Sequence, residues 1–113
     1  MARKNKLLET PPYAVEQALK RLGTNLRTAR LRRNLTIQDV AAKIGTGPRA
    51  IADAEKGKLA TGIGTYAALL WAVDLLAQLD DVADPAKDKE GMALSLIKGR
   101  ERAHPVGGLD NDF

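Results

Sequence analysis

Residues 36–57 read TIQDVAAKIGTGPRAIADAEKG, and this stretch decides the fold of the 113-residue chain. Thr36 is a favourable N-cap, and Asp39 lies three residues later where the acid of a capping box belongs. The spacing therefore predicts a helix barely two turns long that Gly45, as a left-handed residue, brings to an end. The apolar positions of this helix are Val40, Ala41 and Ile44.

A second short helix is predicted directly after the turn Gly45-Thr46-Gly47. Pro48 suits the first turn of a helix, where its missing N–H costs nothing, and the helix should end at Gly57. Small residues would let the two helices approach closely. Two short helices joined by a tight turn are the layout that presents a second helix to a DNA major groove. An ordinary helical hairpin has the same layout, so the spacing alone leaves both interpretations open.

The flanking sequence is also helical in pattern. Residues 13–33 repeat apolar positions at steps of three and four, although Gly23 in the middle predicts a kink or a break into two helices. Residues 65–79 are the most apolar stretch and predict a buried helix that forms the back wall of the core. Residues 90–98 predict a further short helix. We expect an all-α fold, a compact bundle of about five short helices that contains a helix-turn-helix.

Four segments are predicted along the chain. Residues 1–12 are expected to form a basic, flexible arm that Pro11 and Pro12 end. Residues 13–80 should form the helix-turn-helix domain, and residues 81–98 an acidic linker with a short helix. Residues 99–113, rich in glycine and charge, should form a flexible tail.

Charge is distributed unevenly along the chain. Residues 1–33 hold nine of the Lys and Arg residues and only two acids, whereas residues 34–113 hold nine basic residues and twelve acids. One basic end can offer a positive face to phosphates, although a solvated helix surface has the same pattern. No apolar run approaches the roughly 20 residues that span a bilayer, and the N-terminus lacks the features of a signal peptide. We expect a cytoplasmic protein without a membrane partner.

Catalysis and metal binding have little support in the sequence. The chain contains no cysteine and one histidine, His104, in the C-terminal tail. Its one serine, Ser95, has no base at a useful spacing. The acidic run between Asp80 and Asp88 is expected to be a solvated linker rather than a cation site. We therefore predict that the chain is not an enzyme and needs no cofactor or metal.

The segment 36–57 resembles the helix-turn-helix of the Xre and lambda-repressor-like family without gaps. The matching residues are Thr36, Val40, Ala41, Gly45, Ile51, Glu55, Lys56 and Gly57. The resemblance implies a fold of five short helices and a second helix that contacts DNA. Arg30 occupies the place where this family has an arginine paired with the glutamate, here Glu55. The resemblance therefore implies a structural ion pair between them.

Residue roles in DNA binding follow from the same resemblance. The positions implied to contact base edges are Thr46, Gly47, Pro48, Arg49 and Asp53. Arg49 is the strongest candidate, because its guanidinium matches guanine O6 and N7, while Asp53 could accept from a cytosine amino group or only repel phosphate. The positions implied to contact the DNA backbone are Thr36, Ile37 (through helix N-terminal amides), Lys56 and Lys58.

The sequence departs from the family pattern at three positions. Many relatives have a phosphate-binding glutamine where this chain has Ile37, and Gly47 and Pro48 offer no side-chain hydrogen bonds. We therefore expect modest intrinsic affinity, with dimerisation or a partner supplying the rest. The basic arm, with Arg3, Lys4 and Lys6, could reach an adjacent groove or remain a disordered tail.

Two aromatic residues lie on the predicted apolar helix. Tyr66 and Trp71 are expected to pack in the core, with a dimer or partner surface as the alternative.

Beyond the motif, the whole chain is similar to small Xre-type proteins that accompany HipA-like kinases. This similarity is carried by LGTNLRTARLRRNLT (22–36), TGIGTYAALLWAVDLL (61–76) and the ending GGLDNDF (107–113). It implies a HipB-type antitoxin, which dimerises on an operator upstream of its own operon and holds a kinase-like toxin inactive. Leu109 and Phe113 are apolar anchors in a polar tail, as expected of a toxin-binding peptide; a solubilising tail with incidental apolar residues is the alternative.

Three classes of function follow. The chain is an antitoxin that represses its own operon, a free-standing Xre-type repressor without a toxin partner, or an interaction module that no longer binds DNA. The first two predict a homodimer on a palindromic double-stranded operator. The antitoxin adds a kinase-like toxin as a partner.

Overall fold

The computed structural model describes the backbone of residues 5–102 and the side chains of residues 5–99. Six α-helices and two short 3-10 helices make up the described chain, which contains no strand. The predicted all-α fold with a helix-turn-helix is confirmed. The chain divides between Leu79 and Asp80 into two compact units.

The first unit contains five helices. They are α1 (Lys6–Glu9), α2 (Tyr13–Arg32), α3 (Ile37–Ile44), α4 (Pro48–Glu55) and α5 (Ile63–Ala72). The core lies where the last four of these meet, and its largest fully buried side chains come from each of them and from the residue that follows α5. These side chains are Leu26, Val40, Ile51, Leu69 and Val73.

α2 is one continuous helix of 20 residues, so the predicted kink or break at Gly23 is wrong. Gly23 is buried, and a Cβ atom placed there would lie 2.6 Å from the carbonyl oxygen of Glu55 and 2.7 Å from that of Ala54. The glycine is thus the point at which α2 crosses the end of α4. Gly57 complements it, since it has a φ of 70° and a Cβ atom there would collide with the carbonyl oxygen of Leu19. Close packing, not helix breaking, explains the glycine in α2.

α5 is shorter than the sequence predicts. The helix ends at Ala72, and a 3-10 helix follows over Leu76–Asp81, so the single helix predicted over residues 65–79 is wrong. Asp74 adopts a left-handed φ of 63°, and the N–H of Leu75 donates to the carbonyl oxygen of Leu70 at 2.8 Å. Aspartate tolerates this conformation better than most residues. The apolar pattern did not reveal the ending, because the residues on both sides of Asp74 are apolar.

The two aromatic residues of α5 have different environments. Tyr66 is buried in the core, as predicted, and its hydroxyl donates to the carbonyl oxygen of Lys58 at 3.0 Å. Trp71 is half exposed, so its predicted core position is wrong. Lys43 covers its ring, with Nζ 5.3 Å from the ring centroid, and donates to the carbonyl oxygen of Ala72. The cation is thereby held between α3 and the end of α5.

The second unit contains a 3-10 helix over Pro85–Lys87 and a helix α6 over Lys89–Arg102. The helix predicted over residues 90–98 is present and is longer than predicted at its C-terminal end. At the other end of the chain, α1 forms one turn that Asn5 caps, within the segment predicted as a basic arm. Among residues 5–102, no helix is both long and apolar enough to cross a membrane.

Candidate nucleic-acid interface

The helix-turn-helix predicted from residues 36–57 is present as α3, a three-residue turn and α4. Thr36 and Asp39 form the capping box: the N–H of Asp39 donates to Thr36 Oγ1 and the N–H of Thr36 donates to Asp39 Oδ2, both at 2.9 Å. These bonds hold the pKa of the Asp39 carboxyl below its ordinary value. Gly45 ends α3 with a φ of 90°, and Pro48 begins α4. The local signals of the sequence therefore act as expected.

A buried ion pair fixes α4 against α2. Arg30 Nε donates to Glu55 Oε2 at 2.6 Å and Arg30 Nη2 donates to Glu55 Oε1 at 2.8 Å. Their side chains are 7% and 5% exposed, so water screens this pair little. The hydrogen bonds to Glu55 raise the pKa of Arg30 above its ordinary value. The pair that the sequence implied is formed.

Arg30 also orders the entry to α3. Its Nη1 atom donates to the carbonyl oxygen of Leu35 at 2.8 Å, just before the Thr36 cap. One guanidinium thus bonds to the end of α4 and to the segment that leads into α3. This planar, multidentate geometry is available to arginine and not to lysine.

With its inner side fixed, α4 presents a polar outer face. Ile51, Ala54 and Glu55 are buried, whereas Arg49 and Lys56 are exposed, and residues seven apart in a helix lie on the same side. Ala52 and Asp53 lie between them and are half-buried. This recognition face, which we define as Arg49, Ala52, Asp53 and Lys56, is narrow and carries two cations, an acid and a methyl group.

The turn that precedes α4 is exposed as well. Thr46, Gly47 and Pro48 all lie at the surface. The N–H of Thr46 donates to the carbonyl oxygen of Ala41 at 3.0 Å, which fixes the turn. Three small exposed residues next to the recognition face leave room for a bulky partner to approach the start of α4.

Among the residues predicted to contact the DNA backbone, Thr36 is exposed, while Ile37 is half-buried and packs against the core. The side chain of Ile37 is therefore part of the core, and only its backbone N–H, in the first turn of α3, is placed for an anion. Lys56 and Lys58 are exposed at the other end of α4.

Lys58 forms an ion pair with Asp53 of α4. Its Nζ atom lies 3.2 Å from Asp53 Oδ1, in an ion pair that is partly exposed. Two residues to which the sequence gave separate roles, one for the backbone and one for a base, thus contact each other. The pair neutralises part of the recognition face, because the acid no longer repels phosphate unopposed.

Two residues that line the same surface were not singled out in the sequence. Gln38 shares a groove with Pro48 and Arg49 between the starts of α3 and α4, and Ala52 borders the same groove. Gln38 directly follows Ile37, the position at which many relatives of the resembled family have a phosphate-binding glutamine. The sequence could therefore have indicated Gln38 as a candidate for the same contact. The sequence provided no reason to select Ala52. Its position beside Arg49 and Asp53 on the outer side of α4 is known only from the structure.

The predicted toxin-binding residues Leu109 and Phe113 and the arm residues Arg3 and Lys4 lie outside the described residues. Among residues 5–102, no group of three or more histidine or acidic side chains is close enough to hold a metal.

The fold and the exposed second helix define a helix-turn-helix. Residues 26–70 match a family model described as "Helix-turn-helix", which spans the end of α2, all of α3 and α4 and most of α5. The match covers 45 of the 113 residues, and these residues are similar to that family. A domain of this kind supports a DNA-binding transcriptional regulator. No curated protein and no solved structure matches the chain.

Proposed function

We propose that the chain is a transcriptional repressor that places α4 in the major groove of its operator and reads a base pair with Arg49. The observation that carries this proposal is the recognition face of α4. Arg49 and Lys56 are exposed on one side of a helix whose other side is fixed by the core and by the buried pair of Arg30 and Glu55. A rigid helix with an exposed guanidinium suits a bidentate contact to guanine.

The surrounding residues take complementary roles in this proposal. Thr46, Gly47 and Pro48 let the start of α4 approach base edges, and the methyl group of Ala52 suits contact with a thymine methyl. Asp53 can accept from a cytosine amino group only if Lys58 turns toward a phosphate. DNA binding would then break the ion pair between Asp53 and Lys58.

Backbone contacts set the register of α4 on the duplex. Lys56 and Lys58 would neutralise phosphates near the end of α4. Thr36, with the amides of Ile37 and Gln38, would bind a phosphate at the start of α3. These contacts carry no sequence information, so they supply affinity and orientation and leave selectivity to Arg49, Ala52 and Asp53.

A twofold dimer is part of the proposal. One short helix with a single strong base contact gives modest affinity, and two copies on a palindromic site double the contacts. The half-sites would lie about one helical turn apart or a multiple of it.

The experiment is selection of duplexes from a random library by the full chain, followed by a salt titration of the selected duplex. We expect one palindromic sequence to emerge. The slope of log K against log salt should be about −3 to −4, since Lys56 and Lys58 in two copies neutralise about four phosphates at −0.9 each. A flat salt dependence with no selected sequence would show an interaction module that does not bind DNA.

We further propose that this repressor is the antitoxin of a type II toxin-antitoxin pair, represses its own operon and neutralises a HipA-like kinase. The support is the similarity of residues 22–36, 61–76 and 107–113 to HipB-type antitoxins, together with Leu109 and Phe113 in the terminal peptide. Apolar anchors in a polar segment are typical of peptides that become ordered on a partner.

Co-expression with the product of the adjacent gene tests the antitoxin proposal. The full chain should form a stoichiometric complex and restore growth, and a chain that ends at Gly99 should lose neutralisation while it keeps duplex binding. If the neighbouring product is harmless and no complex forms, the alternative of a free-standing Xre-type repressor without a toxin partner replaces the antitoxin.

A further inference from the structure

Lys58 lies in the turn that follows α4, outside any helix. A lysine side chain is long and flexible, so the position of its amine depends on how firmly the backbone beneath it is held. Both backbone polar groups of Lys58 are hydrogen-bonded. Its N–H donates to the carbonyl oxygen of Asp53 at 3.2 Å, and its carbonyl oxygen accepts from the N–H of Thr61 at 3.1 Å. These bonds join the turn to α4 and to itself, but not to the helix that follows.

The bond between this turn and α5 comes from a buried hydroxyl. Tyr66, near the start of α5, is 3% exposed, and its hydroxyl donates to the same carbonyl oxygen of Lys58 at 3.0 Å. Burial raises the pKa of the Tyr66 hydroxyl above its ordinary value, so the group stays protonated and donates at neutral pH. The ring is part of the hydrophobic core. The hydroxyl is therefore a fixed point to which the turn is attached.

The residue before Lys58 is held from the opposite direction. Gly57 is buried with a φ of 70°, and its backbone lies so close to that of Leu19 in α2 that an added Cβ atom would collide with it. Two successive residues of the turn are thus fixed, one by α2 and one by α5. The amine of Lys58, 3.2 Å from Asp53 Oδ1, extends from this fixed backbone at the end of α4.

A fixed turn favours phosphate binding through entropy. Each residue whose backbone has to be ordered on binding lowers the affinity by about 5- to 30-fold. A turn that is already ordered avoids this loss, because the lysine then has only its side chain to immobilise. The hydroxyl of Tyr66 therefore bears on the affinity for DNA although the residue is buried.

We propose that Tyr66 is a positioning residue for DNA-backbone binding: its hydroxyl holds the carbonyl group of Lys58 and thereby keeps the amine of Lys58 in place for a phosphate. The inference rests on the proposed function, since it requires Lys58 to contact the duplex. Tyr66 itself touches no DNA in this account, so it acts through Lys58 alone.

The test is a double-mutant cycle on the affinity of the full chain for a duplex, with Tyr66→Phe, Lys58→Ala and the double variant. Tyr66→Phe removes one hydroxyl and keeps the buried ring. It should weaken binding to every duplex alike, by about 5-fold for each half-site, and leave base preference unchanged. In the Lys58→Ala background the same change should weaken binding by less than about 2-fold, because no amine remains to be positioned.

The chain offers a matched control and a measurement without DNA. Tyr13 on α2 is 76% exposed, so Tyr13→Phe removes a hydroxyl from the surface and should leave the affinity unchanged. In the absence of DNA, Tyr66→Phe should accelerate hydrogen exchange of the Thr61 amide, which donates to Lys58, more than that of the Val73 amide, which donates within the core. Tyr13→Phe should accelerate neither.

Two results would overturn the inference alone. In the first, Tyr66→Phe weakens binding by the same factor with and without the amine of Lys58, so the hydroxyl acts on the fold as a whole. In the second, the Thr61 amide exchanges no faster in Tyr66→Phe than in the parent chain. A parent chain that binds no duplex would contradict the proposed function and this inference together, so the two failures are distinct.

Discussion

The side chain of Arg30 makes three hydrogen bonds, two to Glu55 at the end of α4 and one to the backbone at Leu35. At the scale of single residues, this guanidinium joins the end of α4 to the segment that leads into α3. The sequence predicted the pair through a family resemblance. It did not predict the bond to Leu35, because every residue has a backbone carbonyl and the identity of residue 35 therefore does not indicate this contact.

Replacement of Glu55 by alanine should lower the free energy of unfolding by about 3–5 kcal/mol, since it leaves the buried charge of Arg30 without a partner. Chemical denaturation measures this value. Lys58→Ala, which breaks the exposed pair with Asp53, is the matched control and should cost about 1 kcal/mol or less. Equal losses of unfolding free energy in the two variants would contradict the expectation that the buried pair of Arg30 and Glu55 stabilises the fold more than the partly exposed pair of Lys58 and Asp53. The base preference of Glu55→Ala should be unchanged wherever the variant remains folded.

At the scale of helices, the crossing of α2 and α4 depends on the absence of a side chain at Gly23. A Cβ atom there would lie within 2.7 Å of three backbone atoms of residues 54, 55 and 57. Sequence reasoning treated this glycine as a weakness of the helix. That interpretation considers helix propensity alone, whereas the close approach depends on residues 54, 55 and 57, which are more than 30 residues away in the chain.

Gly23→Ala should therefore destabilise the protein by about 1–3 kcal/mol or more, despite the better helix propensity of alanine. Gly64→Ala is the matched control, since Gly64 also lies within a helix and a Cβ atom there meets nothing within 4 Å. Thermal unfolding should show that this second change is neutral or stabilises by up to about 1 kcal/mol. A stable Gly23→Ala variant would show that the helices do not cross as closely as described.

The start of α3 makes stability depend on pH. Hydrogen bonds with Thr36 lower the pKa of Asp39, so the capping box contributes stability above the ordinary aspartate pKa of about 3.9 and loses it as pH falls through the lower value of the folded state. Asp39→Ala should therefore melt at a lower temperature than the parent chain at pH 7. The difference should shrink below about pH 4. Glu9→Ala, which removes an exposed acid outside this capping box, should melt at the same temperature as the parent chain. A difference in melting temperature between the parent chain and Asp39→Ala that stays constant at all pH values would contradict the role of the carboxylate.

Helix ends were predictable where a local signal marks them and not elsewhere. The cap at Thr36, the left-handed Gly45 and the proline at residue 48 all have their expected places. The end of α5 at Ala72 and the exposure of Trp71 could not be read from the sequence. Both depend on which neighbours cover an almost wholly apolar stretch, and that is decided by tertiary packing.

At the scale of the whole molecule, the chain combines a compact helix-turn-helix domain with a second unit that has no buried residue from 80 to 99. The excess of basic charge in residues 1–33 favours association with a polyanion and should accelerate it at low salt. Sequence patterning predicted the fold class and the position of α4, both of which the structure confirms. It could not identify the contact between Lys58 and Asp53, which depends on the geometry of the chain just after α4.

The reading of a base pair by Arg49 is the central claim, and one comparison tests it most directly. The affinity of Arg49→Ala for the selected duplex and for its single-base variants is measured beside Lys58→Ala and Arg21→Ala, the last an exposed cation on α2. Arg49→Ala should lose about 5- to 150-fold of discrimination at one base pair of each half-site, whereas Lys58→Ala should weaken all duplexes alike. Arg21→Ala should leave base preference unchanged. Unchanged base preference in Arg49→Ala would remove Arg49 from the reading role and contradict the account.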